Sequence, residues 1–148
     1  MTLEEVKKEA LKLMFTNQDN EIDSSDISEL EADDNYSDYL NNMYGSINRA
    51  IVRLRSKGVE YKAPRLTTAT SNTFDFTWEE QDENGELIKI GLDINLCELL
   101  PYFIKGELYE EDNPSIATIA KNYFEDAVDD YLSTKVNTRV ELAIEMEV

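Results

Sequence analysis

Histidine is absent from this chain, which removes the commonest general base and the commonest side-chain ligand for transition metals. Cysteine occurs once, at Cys97, so no internal disulfide can form. No run of about eighteen apolar residues is present, and no membrane span is expected. Three prolines and five glycines leave no glycine-rich phosphate loop and no nucleophile elbow. Basic residues are scarce as well. Fourteen Lys and Arg stand against thirty-two Asp and Glu, a net charge of −18 that argues against general binding to nucleic acid or anionic membrane, where clustered cations supply the affinity. The opening "MTLEEVKKEA" lacks the apolar core of a signal peptide, which points to synthesis in a reducing cytoplasm.

What is present fits one soluble domain. At 148 residues and 41% apolar content, such a chain buries roughly 70% of its unfolded surface. Thr2 with Glu5 forms a capping-box pattern, and Leu3, Val6, Ala10, Leu13 and Met14 recur at helical spacing, giving a first helix to about Phe15. Residues 16–38 carry nine acids and no base, the mark of a solvated loop with one helical turn near 25–31. Tyr36, Leu40, Met43, Ile47, Ala50, Ile51 and Leu54 share a stripe about 100° wide, so residues 35–57 read as an amphipathic helix closed by Gly58.

The period then changes from helical to alternating. Phe74, Phe76 and Trp78, and after "ENG" Ile88, Ile90, Leu92 and Ile94, mark a β-hairpin at about 73–94. Both rows are even-numbered, so a three-residue loop, Glu83 to Gly85, with Gly85 left-handed after a type I turn, keeps them on one face. Asn95 with Glu98 starts another helix, whose apolar run is kinked or opened by Pro101. Asn113 and Pro114 open a last helix with Ile116, Ile119, Ala120, Tyr123, Phe124, Ala127, Val128 and Tyr131 along one face. From Val136 to Val148 the alternation is strict: Val136, Thr138, Val140, Leu142, Ile144 and Met146 face one way. We expect a C-terminal strand arm at 136–148 that adds to the sheet of a neighbour, outside a single domain at 1–135.

Catalytic candidates are weak, and no enzyme, cofactor or metal is expected. Asp19, Glu21 and Asp23 imitate the start of a calcium loop, but Ser24 replaces its glycine and Leu30 its final Glu. Asp75, Glu86 and Lys89 faintly suggest a magnesium nuclease hairpin, at loose spacing. Cys97, in an apolar helix with no nearby base, reads as an inert packed thiol.

The unusual feature is residues 46–65, where Arg49, Arg53, Arg55, Lys57, Lys62 and Arg65 face one acid, Glu60. On the helical wheel Arg49 and Arg53 flank the apolar stripe, with Lys57 one turn on. Two readings stay open: pairing with acids of this chain, or a docking patch for a protein partner. Docking predicts that reversing Arg49 and Arg53 spares the isolated fold.

"YLNNMYGSINRAIVRLRSKGV" (Tyr39 to Val59) and "LLPYFIKGELYEEDNPSIATIAKNYFEDAV" (Leu99 to Val128) resemble the head-to-tail connector (adaptor or head-completion) proteins of tailed bacteriophages infecting Firmicutes. The resemblance implies a virion structural protein at the neck that forms a ring of its own copies beneath the portal, usually twelve. The ring joins the portal protein to a tail-side neck or tail-terminator protein while DNA passes through the lumen without specific binding. On that basis Arg49, Arg53, Arg55 and Lys57 become candidate contacts with other subunits or the portal. The expected class is α+β, a mainly helical bundle with an inserted hairpin and an extended C-terminal β-arm. The competing expectations are an acidic DNA mimic, suited by charge to residues 19–38 and 107–130, and another soluble accessory protein.

Overall fold

The computed structural model describes residues 1–15, 36–111 and 113–147; the calcium-like stretch and the helical turn expected near 25–31 lie outside them. Helix α1 (Leu3–Phe15) opens on the capping box read from the sequence: Thr2 Oγ1 accepts from the Glu5 amide at 3.3 Å and Glu5 Oε1 from the Thr2 amide at 3.4 Å. Leu3, Val6, Ala10, Leu11 and Met14 are buried. Helix α2 (Tyr36–Ser56) buries Met43, Ile47, Ala50, Ile51 and Leu54, the face its periodicity marks. It ends on Gly58 at φ 96°, where the Gly58 amide reaches Arg55 O at 3.0 Å and the Val59 amide reaches Leu54 O at 3.0 Å. These two bonds occupy carbonyls that the helix end leaves open, and the positive φ is the reason glycine stands there.

Lys7 is a buried cation between these helices. Its ammonium donates to Tyr44 Oη at 2.6 Å and Asn72 Oδ1 at 2.9 Å, tying α1, α2 and the loop at 72 together. Such a group must be hydrogen-bonded to be tolerated in the interior.

The hairpin differs from its expected form. Strands β1 (Glu80–Gln81) and β2 (Leu87–Lys89) are short and antiparallel. The tip agrees with the three-residue loop: Gly85 has φ 81°, its amide donates to Asp82 O at 3.0 Å, and the Asp82 amide donates to Glu86 O at 2.8 Å. Below the tip, an irregularity between Glu80 and Gln81 changes the pairing from Gln81 with Leu87 to Glu80 with Lys89. One extra residue flips the parity at that point, so the even-numbered rows fall out of register beside Glu80 and Lys89. Towards the base, Phe76 and Leu92 enter the core and the Leu92 amide donates to Phe76 O at 2.7 Å. Trp78 and Ile88 stay exposed. The 74–76 edge instead pairs with the chain start, through Leu3 N to Phe74 O at 2.8 Å and Phe76 N to Met1 O at 3.0 Å.

Helix α3 (Ile94–Cys97) is a single turn capped by Asp93, whose carboxylate accepts from the Asn95 amide at 2.9 Å, so the cap falls two residues before the expected Asn95. Pro101 begins rather than kinks the next helix, α4 (Leu100–Leu108), where a missing amide is harmless. This short helix packs against α1, α2 and α5, and Leu100, Pro101, Ile104 and Gly106 are buried.

Helix α5 (Pro114–Glu147) starts as expected, with the Ile116 amide donating to Asn113 Oδ1 at 3.3 Å. Its buried stripe is Ala117, Ala120, Phe124 and Val128, the last three on the expected face, with Ala127 and Tyr131 of that face partly buried against the core. Ile116, Ile119 and Tyr123 face outward. The backbone remains helical to Glu147, so residues 136–147 are not a strand. A strict alternation also contains every i, i+4 pair, here Val136 with Val140 and Leu142 with Met146, and period two alone does not separate the two readings. No Gly or Pro follows Pro114, and extending an existing helix is easier than starting a strand.

Candidate functional site at the basic flank of helix α2

Arg49, Arg53 and Lys57 recur every fourth residue and therefore stand in one row along α2. Opposite them lie Glu107 on α4, and Glu125 and Asp129, themselves four apart, on α5. Arg49 Nε donates to both Glu107 oxygens at 2.8 Å. Arg53 grips Glu125 through Nε at 2.7 Å and Nη2 at 2.9 Å. Lys57 reaches Glu125 at 2.7 Å and Asp129 at 2.5 Å. Pairing within the chain thus accounts for three of the six basic residues of the 46–65 stretch. Charge reversal at Arg49 and Arg53 would set carboxylates against Glu107 and Glu125, so the expectation of an untouched fold gives way to a destabilised one. The acids were legible only as an i, i+4 pair of opposite sign on a second helix.

The other half lies on the opposite flank. Arg55 Nε donates to Tyr61 O at 3.0 Å, and its guanidinium sits 5.6 Å from the centre of the Tyr61 ring. Asn48 acts like a strand edge towards the returning chain, donating to Leu66 O at 2.8 Å and accepting from the Leu66 amide at 3.0 Å. This double bond holds residues 61–66 beside α2 and leaves a groove of about 210 Å³ floored by Ile51 and Tyr61 and edged by Val52, Pro64, Arg55 and Arg65. Lys62 lies outside it, with its backbone paired to Ile90. Arg65 is exposed and has no ion-pair partner among the described residues.

The ladder makes a pH prediction. The Arg53 hydrogen bond, with Lys57 beside it, holds the Glu125 carboxyl down at about 2, against 4.5 for the unperturbed side chain. A group depressed on folding stabilises the protein above its unfolded pKa, and that stability drains away as pH falls from about 4.5 to about 2. Glu125→Gln should therefore cost on the order of 1 kcal/mol at neutral pH and nothing at the acid end of this window. Urea midpoints of both proteins measured between pH 6 and pH 2 check it; a constant gap between the two curves would rule the charge out as the cause. Lys57 is raised by Asp129 and Glu125, and its contribution persists until pH climbs through that raised value.

The weak catalytic candidates are otherwise engaged. Asp75 Oδ1 accepts from the Thr77 hydroxyl at 2.6 Å and amide at 2.9 Å, and from the N-terminal ammonium at 3.4 Å, which hold its carboxyl below the usual range. Lys89 donates to the Asp75 carbonyl at 3.2 Å. Cys97 is fully buried and its thiol is pushed up to about 12, chiefly by desolvation. Among the described residues no group of three or more Cys, Asp and Glu converges as a metal site, and no helix is long and apolar enough to cross a membrane. Comparison with protein-family models, with curated proteins and with solved structures finds no match to this chain.

Proposed function

We propose that this protein is a structural component of a phage virion, a head-to-tail connector that sits beneath the portal and joins the capsid vertex to the tail. One observation carries the reading. The two stretches that resemble connectors, Tyr39 to Val59 and Leu99 to Val128, are far apart in sequence yet form a single packed unit of α2, α4 and α5, cross-linked by the Arg49, Arg53 and Lys57 pairs. A resemblance that falls on one cooperative block is more informative than one scattered over unrelated surfaces. In this reading those three cations brace the subunit, and Arg55 and Arg65 are the residues left to face another molecule. The last turns of α5 would serve as a helical arm in place of the strand arm.

The acidic-mimic alternative is weakened by the same ladder, because Glu107, Glu125 and Asp129 spend their charge on bases of their own chain. The deciding experiment mixes purified protein with portal particles from the same genome and images the product. The expected result is an added ring below the portal; failure to bind any virion component would sink the proposal.

A further inference from the structure

The hairpin carries the chain's single tryptophan, Trp78, 59% exposed near its base, and exposes Leu87 and Ile88 nearer its tip. A two-stranded hairpin presenting this much apolar surface is marginal by itself and marks a contact site. Its charge is one-sided: Glu79, Glu80, Glu83 and Glu86 are exposed and pair with no base among the described residues. The α2 groove is the converse. Val52, 62% exposed, stands at its edge; among the described residues no acid lines it and Arg65 has no ion-pair partner, while Arg55 meets a backbone carbonyl and an aromatic face. In a protein of net charge −18, a basic apolar groove and an acidic apolar hairpin are complementary in both respects, and neither meets its match among the described residues.

We propose that the hairpin of one copy docks into the α2 groove of a second copy, Trp78 against Val52 and Pro64 with the adjacent Glu79 and Glu80 carboxylates near Arg55 and Arg65. Tryptophan and arginine are the side chains that dominate such contacts. The two surfaces differ, so the contact is head-to-tail, and its repetition closes into a ring or runs on as a filament according to the rotation between copies. This names the partner as a second copy of the same chain, and stands whether or not that copy sits in a virion.

The test uses the full chain and two single variants, Trp78→Asp on the hairpin and Val52→Glu in the groove, followed by sedimentation across concentration and salt. Wild type should self-associate, its Trp emission should shift to the blue as it does so, and added salt should weaken the association. Each variant alone should lose at least about tenfold in affinity. Mixed together they should form a one-to-one pair, because the groove of the first and the hairpin of the second are intact; a misfolded variant could not rescue its partner in this way. Wild type that stays monomeric at ~100 μM, either variant associating like wild type, or a mixture that does not pair would each overturn the proposal. A ring-forming protein that ignores portal particles would keep this inference and remove the connector reading.

Discussion

Phe124→Ala should lower the unfolding free energy by about 3–5 kcal/mol. The ring is fully buried on α5, meets Phe103 of α4 edge-on with centres 5.0 Å apart, and has Ala120 and Val128 buried one turn to either side. Small neighbours such as Ala120 cannot swell into the space left behind, so the cavity stays open and the lost dispersion contacts are not recovered. Its position raises the stakes. Helix α4 also packs on α1 and α2, and loosening the α4–α5 seam weakens the unit that all three share. Against a typical total of 5–15 kcal/mol, the variant would lose a large fraction of its stability. Denaturant unfolding measures this as a lower midpoint at an unchanged slope. The control is Ile119→Ala on the same helix, 70% exposed, which should stay within about 0.5 kcal/mol of wild type. Equal midpoints for the two variants would mean that α5 faces the core with the wrong side.

The second large effect is expected from Gly91→Ala. A Cβ at this position would lie 2.6 Å from both the carbonyl carbon and oxygen of Thr77, and 3.1 Å from Phe76 O. Those are backbone atoms, which cannot swing away as a side chain can, so the two limbs of the hairpin base must separate. Overpacking of this kind costs about 1–3 kcal/mol, and here it acts where the Leu92 amide donates to Phe76 O and the Ile90 amide to Lys62 O. Hydrogen exchange should show faster exchange of these two amides, with α2 and α5 protected as in wild type. Retained protection at Leu92 would show that the close approach can be relaxed without opening the base. Because Trp78 is carried by that base, the variant should also weaken self-association.

These two residues illustrate how unevenly the molecule could be read beforehand. Local chemistry was legible wherever a few neighbouring residues set the outcome. The Thr2 and Glu5 box, the left-handed Gly58 and Gly85, Pro114 behind its Asn113 cap, and the buried face of α2 all follow from side chains and backbone angles within a turn of one another. The mainly helical α+β character came from the same local signals, and so did the excess of acid that set the basic stretch apart.

Elsewhere the deciding contact lies far along the chain. Whether Phe124 or Tyr123 points inward depends on where α4 approaches α5, a rotation of one residue that an eight-residue apolar face does not resolve. The Glu80 and Gln81 irregularity interrupts the register of the alternating rows, and Phe76 bonds to Met1 and Leu92 at once, which no period along the sequence encodes. Residues 136–147 carry spacings compatible with either regular structure, and an uninterrupted helix reaching them from Pro114 settled the matter. The basic stretch shows the division most clearly: its six charges are plain in the sequence, but only packing α2 against α4 and α5 puts Glu107, Glu125 and Asp129 within reach of three of them. The row that found acids became a brace; on the other flank, where the chain returns past Asn48, Arg55 and Arg65 were left with an apolar groove between them.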